Sequence, residues 1–102
     1  MEKSTLLTVF SYFIEKMETD ATLKHWLLDM LENLGTKQFK YFQWCLQNVD
    51  ESTDGFKPIK KSRLENADRL DTVDIMVHVY SIETREVTER ILQRVRRNEG
   101  LS

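Results

Sequence analysis

Between Leu23 and Leu34 the apolar residues fall at steps of three, one, three, one and three: Leu23, Trp26, Leu27, Met30, Leu31 and Leu34. That spacing is one face of an α-helix and is incompatible with the alternation of a half-buried strand. Asp20 or Thr22 can cap the start of such a helix, and Gly35 can end it. A second face follows, with Phe39, Phe42, Leu46 and Val49 inward and Lys37, Lys40, Gln43 and Gln47 outward, and with Thr36 as its cap. A chain that begins in this way must bury helices against helices.

The remainder keeps the same period. Residues 50–60 hold Asp54-Gly55 and Pro58 and read as a polar connection. Ser62-x-x-Glu65 has the form of a capping box, so a short helix is expected there. Asp68 or Asp71 opens a further helix through Val73, Met76, Val77 and Tyr80. A last helix runs from about Thr84, with Val87, Ile91, Leu92 and Val95 inward and Arg94, Arg96 and Arg97 near its end, where cations complement the helix dipole. Val77 to Tyr80 is the best strand candidate, and it lies inside a helical pattern. Residues 1–20 form an extension in which Leu6, Phe10, Phe13, Ile14 and Met17 again share a helical face. This is expected to be an extra helix or an extension of the first one; an amphipathic docking segment and a disordered tail are the alternatives.

At 102 residues, residues 21–102 make one domain, large enough to bury a core without staples. Fifteen basic residues against seventeen acidic ones give no global attraction to nucleic acid or to an anionic membrane. No stretch approaches the ~20 apolar residues of a membrane span, and the short run Leu6–Ile14 lacks the features of a signal peptide. Cys45 stands alone, so no internal disulfide can form, which suits a reducing compartment such as the cytoplasm. Cys45 with His25 or His78 supplies neither a convincing nucleophile–base pair nor a zinc ligand set, and no glycine-rich phosphate loop is present. The sequence therefore offers no catalytic centre, no metal site and no cofactor. Arg94-Val95-Arg96-Arg97 and the group Lys57, Lys60, Lys61 and Arg63 are the only elements for nucleic-acid binding, and no stacking aromatics are interleaved with them.

The remaining signal is the placement of charge. Asp29 and Glu32 lie on the first helix, and Asp68, Asp71 and Asp74 at the start of the fourth. Lys37 and Lys40 lie on the second helix, and Lys57, Lys60, Lys61 and Arg63 in the loop and short helix that follow. A bundle can put these on different faces, giving an acidic patch of Asp29, Glu32, Asp68 and Asp71 and a basic patch of Lys37, Lys40, Lys57, Lys61 and Arg63. Separate complementary patches permit head-to-tail contact, which closes a ring or extends a helical filament.

Three blocks resemble the pyrin domain family: Leu27-Leu28-Asp29-Met30-Leu31-Glu32-Asn33-Leu34 followed by Phe39-Lys40-x-Phe42; Gly55-Phe56-Lys57-Pro58-Ile59-Lys60-Lys61-Ser62-Arg63-Leu64-Glu65-Asn66-Ala67-Asp68; and Asp74-x-Met76-Val77-x-x-Tyr80 with Glu86-Val87-Thr88-x-x-Ile91-Leu92. Their order and spacing agree with the family over residues 23–97. The resemblance implies an all-α, six-helix antiparallel death-fold bundle with a short third helix, the sixth helix here truncated. It implies a non-enzymatic binding module of inflammasome sensors of the NOD-like receptor type. Such a module recruits the pyrin domain of an adaptor by homotypic contact, nucleates filaments and leads to caspase activation. A pyrin-only regulator that competes for the adaptor would show the same residues. In the family's main contact an acidic surface on the first and fourth helices meets a basic surface on the second and third; by position Glu32, Asp68 and Asp71 match the first and Lys40 and Lys61 the second. The chain departs from the pattern at Tyr41 and Cys45, which stand where the family is often basic, and at Lys60, which replaces a common proline.

Overall fold

A computed structural model describes residues 19–99. Helix α1 spans Asp20–Glu32, α2 Thr36–Gln47, α3 Glu51–Asp54, α4 Lys61–Leu64, α5 Arg69–Tyr80 and α6 Thr84–Glu99, with a 3₁₀ turn at Ser81–Glu83. No strand occurs among the described residues. Four long helices thus make the bundle, and two four-residue turns sit in the α2–α5 connection. The expected short third helix is α4; α3 is an additional turn inside a segment read as loop. No helix follows α6 among the described residues, and the helical face expected at Leu6 to Met17 lies outside them.

Helix ends show where sequence signals compete. Thr19, not Asp20 or Thr22, caps α1: its Oγ1 accepts from the Thr22 amide at 3.2 Å. Gly35 takes the N-cap position of α2 in place of Thr36, and the Gln38 side chain accepts from the Gly35 amide at 2.8 Å. The anticipated Ser62–Glu65 box does not form, since α4 starts two residues earlier than that box requires, behind Lys60 with no side-chain cap. Asp50 caps α3 through the Ser52 amide and hydroxyl, bonds that hold its carboxyl below the usual carboxylate range. Gly55 follows with φ 83, a left-handed conformation that glycine adopts freely. Of the two openers the sequence offered, Asp68 caps α5, and Asp71 completes a reciprocal box with it.

The core draws on every segment. Leu23, Leu27 and Leu31 of α1, Phe39, Phe42, Cys45 and Leu46 of α2, Val73, Met76, Val77 and Tyr80 of α5, and Val87, Ile91, Leu92 and Val95 of α6 are buried. Trp26, Met30 and Leu34 are half-buried at its margin. Phe56, Ile59 and Leu64 drop in from the connection read as polar, so that segment is a strap over the core. The strap is fastened by the Ile59 amide to the Leu46 carbonyl at 2.8 Å, by the Tyr80 hydroxyl to the Lys57 carbonyl, and by Phe56 edge-on to Tyr80. Burial accordingly raises the Tyr80 phenol well above its ordinary value. Buried Thr72, Thr84 and Thr88 return their hydroxyls to backbone carbonyls, and no buried side-chain polar atom among the described residues lacks a partner.

Cys45 is 1% exposed, and burial pushes its thiol up; Tyr41 and Arg94 oppose this to a smaller extent. A thiol so placed is inert. At neutral pH, native protein is expected to react with a maleimide or disulfide reagent at least ~100-fold more slowly than urea-unfolded protein, since access requires an opening of about 3 kcal/mol or more. Equal rates in a stopped-flow comparison would place the sulfur at the surface.

Candidate functional site

The acidic surface is assembled by the packing of α1 on α5. Asp29 and Glu32 sit on the exposed side of α1, one turn apart. Asp68 and Asp71 open α5 and are also exposed. Glu32 and Asp68 come together on the walls of one open groove, with Leu28, Arg69 and Leu70. Asp71 lies around the helix in the next depression, with Ser62, Arg63, Asn66, Ala67, Asp74 and Ile75. Both aspartates have a structural duty as well. The Asp68 Oδ1 accepts from the Asp71 amide at 2.8 Å, and Asp71 Oδ2 from the Asp68 amide at 3.4 Å. Charge reversal at these two positions would remove a helix cap along with a surface, so it cannot report on the surface alone.

Beneath the groove lies a residue that no local pattern singled out. Arg69 Nε donates to the Leu31 carbonyl at 2.9 Å and its Nη2 to the Leu34 carbonyl at 2.7 Å. Its guanidinium also lies 4.7 Å from the centre of the Phe39 ring. The end of α1 offers carbonyls with spare accepting capacity and the negative pole of the helix, and Arg69 meets both from the neighbouring helix. It thereby fixes α1 to α5, and with it Glu32 to Asp68.

The basic residues spread along α2 and the strap. Lys37 and Lys40 are exposed in the first turns of α2. Lys57 is exposed in the strap, which is fastened to the last turn of α2, and Lys61 and Arg63 are exposed on α4. Gln43, expected to face outward, instead donates to the Ala67 carbonyl at 2.9 Å and to the Thr72 hydroxyl at 3.1 Å, holding the middle of α2 to the start of α5. Among the described residues, no ion pair joins Asp29, Glu32, Asp68 or Asp71 to Lys37, Lys40, Lys57, Lys61 or Arg63. The separation of sign is nevertheless incomplete. Arg63 shares a depression with Asp71, and Asp74 is paired with Lys24 at 3.1 Å.

Other candidate chemistries are absorbed by structure. Arg94 is ion-paired with Asp54, whose side chain is 12% exposed, and this anchors α6 to the strap. Asp54 Oδ2 also accepts from the Asp50 amide at 2.9 Å. Among the described residues no cluster of His, Cys, Asp and Glu could hold a metal ion, and no helix is long and apolar enough to cross a membrane.

Comparison with known proteins agrees with this arrangement. The PAAD/DAPIN/Pyrin domain family matches residues 26–100. The chain is 37% identical over 73 residues to a Danio rerio protein described as caspase b. That alignment covers 72% of this chain and 18% of the relative's length. No solved structure matches. The matched span takes in the second half of α1, all of α2, α5 and α6, both charged surfaces and the strap between them, and the chain belongs to the pyrin domain family, whose members are death-fold modules of homotypic protein–protein interaction.

Proposed function

We propose that this chain recruits the pyrin domain of an inflammasome adaptor in the cytoplasm and nucleates its filaments, as the module of a sensor of the NOD-like receptor type. The observation that supports this most is the α1–α5 surface, where Glu32 and Asp68 rim one groove and make no ion pair among the described residues, with the exposed lysines of α2 and the strap elsewhere. Exposed charges of this kind contribute little to folding and much to partner choice and encounter rate. The relative's description as a caspase fits a signalling role that ends in caspase activation.

The test must spare the cap. Asparagine caps helices about as well as aspartate, so Asp68→Asn with Asp71→Asn removes charge while leaving α5 intact. Combined with Glu32→Lys, these changes are expected to weaken capture of an adaptor pyrin domain by tenfold or more at 0.1 M salt, with circular dichroism unchanged. Raising salt to 1 M shortens the Debye length from ~10 Å to ~3 Å and should weaken the unsubstituted pair in the same direction. Capture that ignores both the substitutions and salt would overturn the reading.

A pyrin-only regulator is the second reading, and Tyr41 and Cys45 favour it. Where the family often presents basic residues on α2, this chain has a half-buried phenol and a buried thiol. A module with one strong and one weak surface adds to a filament end and stops it. Added to polymerising adaptor, the sensor reading expects the lag to shorten and the regulator reading expects it to lengthen. Duplex-DNA binding with a steep salt slope would instead favour the arginines of α6 and the basic strap.

A further inference from the structure

Three large apolar side chains are exposed among the described residues: Trp44, Leu70 and Ile82. Trp44 stacks on Tyr41, with centroids 5.7 Å apart and planes 11° from parallel. Leu70, 60% exposed, instead lines an open depression on the α1–α5 seam together with Ala21, Leu28 and Val73. At its edge Lys24 is paired with Asp74, so those two charges are already neutralised. Leu28 and Leu70 also line the groove of Glu32 and Asp68, so the seam is continuous from the first turn of α1 to the acidic surface. On the other side of α1 the Trp26 ring is covered by the Arg85 guanidinium, 4.4 Å from its centre, and the depression beside it is edged by Glu89 and Arg96. Thr19 fixes how the chain enters α1. Its backbone is extended, with φ -91 and ψ 168, and its hydroxyl caps the helix, so the helical path of α1 stops there.

We propose that the apolar face of residues 6–17 folds back along this seam as an intramolecular cover over Ala21, Leu28, Leu70 and Val73. Leu6, Phe10, Phe13, Ile14 and Met17 have the spacing of one helical face, and such a face needs an apolar surface to lie on. A helix of that length is marginal by itself in water, so its order must come from packing. The break at Thr19 supplies the turn: with Glu18 it makes a connection long enough to join antiparallel helices. Register follows from the rise of ~1.5 Å per residue in both helices. Met17 and Ile14 return beside Ala21 and Lys24, and Phe10 reaches Leu28 and Leu70. Lys3 continues the stripe one turn beyond Leu6 and arrives at the carboxylates of Glu32 and Asp68. Apolar length and charge therefore match together. The tether selects this chain's own segment over that of a second copy, because a short linker holds it at a high effective concentration. The consequence for binding rests on the homotypic reading above: the covered seam is the acidic surface, so a partner must displace Phe10 and Lys3 to reach Leu70 and Glu32.

The test is amide hydrogen exchange on the full chain. Amides of residues 10–17 should exchange about tenfold or more slowly than in a free peptide of the same sequence. Leu70→Asp and Phe10→Asp, one on each side of the contact, should each abolish that protection while the amides of α5 and α6 stay protected. Leu70 is more than half exposed, so its substitution spares the bundle. Protection that persists in Leu70→Asp places the segment on another surface and overturns the proposal. So do amides that exchange at the peptide rate. Protection that fades on dilution assigns the segment to a second copy and overturns the intramolecular contact. Adaptor capture is a separate readout. If the seam is uncovered about a tenth of the time, Phe10→Asp should strengthen capture by about tenfold. Exchange that behaves as expected with capture that does not rise overturns the gate and keeps the docking. The charge variants of Glu32, Asp68 and Asp71, whose effect on capture does not depend on the segment, judge the homotypic reading by itself.

Discussion

Replacing Arg69 with alanine is expected to lower stability by about 2–4 kcal/mol, the loss of two hydrogen bonds from a charged donor and of a cation–ring contact. For a domain of this size that corresponds to a fall in Tm of roughly 10–20 °C. The side chain donates to the Leu31 and Leu34 carbonyls at and just past the end of α1, the first of which also accepts from the Leu34 amide. Arg69→Lys keeps the charge yet should recover less than half of the loss, since an ammonium cannot fork to two carbonyls while lying over the Phe39 ring. Arg69 also positions the two walls of the acidic groove, so at temperatures where Arg69→Ala remains folded, adaptor capture should still weaken. Thermal melts and capture of the two variants decide the matter. A change in Tm below 3 °C for Arg69→Ala would mean that the guanidinium is a surface ornament.

Arg69 also marks the limit of what the sequence discloses. Its partners lie 38 and 35 positions away, and no local pattern links them. The same holds for Arg94 with Asp54 and for Gln43 with Thr72, where a polar residue on a helix was read as solvent-facing because period alone reports the apolar face. The strap was misread for a related reason. Asp54-Gly55 and Pro58 do turn the chain, but Phe56 and Ile59 between them are core residues, and isolated apolar residues in a loop carry no period to expose them. Local features were legible. Leu23, Leu27 and Leu31, and Phe39, Phe42 and Leu46, were identified by spacing and are buried. Asp68 is one of the two openers expected ahead of an apolar run, and it caps α5. Cap positions at the starts of α1 and α2 were displaced by one residue, because Thr19 and Gly35 stand beside equally plausible neighbours.

The candidate surfaces were legible as charge and not as shape. Glu32 and Asp68 were expected on one side, and α1 packs on α5 to bring them into one groove. Asp74, a charge on the same helix but outside the expected patch, is paired with Lys24, a contact visible only once the two helices are adjacent. The exposure of Trp44 is not legible in the sequence, because aromatic residues on an amphipathic helix usually belong to its inner face. Here Phe39, Phe42 and Leu46 already fill that face, and Tyr41 and Trp44 lie off it.

Phe42 and Trp44, two positions apart on α2, should respond to truncation in opposite ways. Phe42 is 0% exposed and among the largest fully buried side chains of the described residues. Phe42→Ala removes a ring that the surrounding helices cannot collapse to replace, at a cost of about 3–5 kcal/mol. Against a total stability of about 5–15 kcal/mol, that is enough to leave the domain partly unfolded near 37 °C. Trp44→Ala should leave the melting curve nearly unchanged, because the indole is more than half exposed, and should weaken capture of a pyrin partner by α2. The two variants therefore separate a loss of binding caused by unfolding from one caused by a missing contact. If Phe42→Ala melts within a few degrees of the unsubstituted protein, the centre of the bundle is not where α2 places it. If instead Trp44→Ala melts as low as Phe42→Ala, the indole is part of the core, and the outer face of α2 has no anchor to offer a partner.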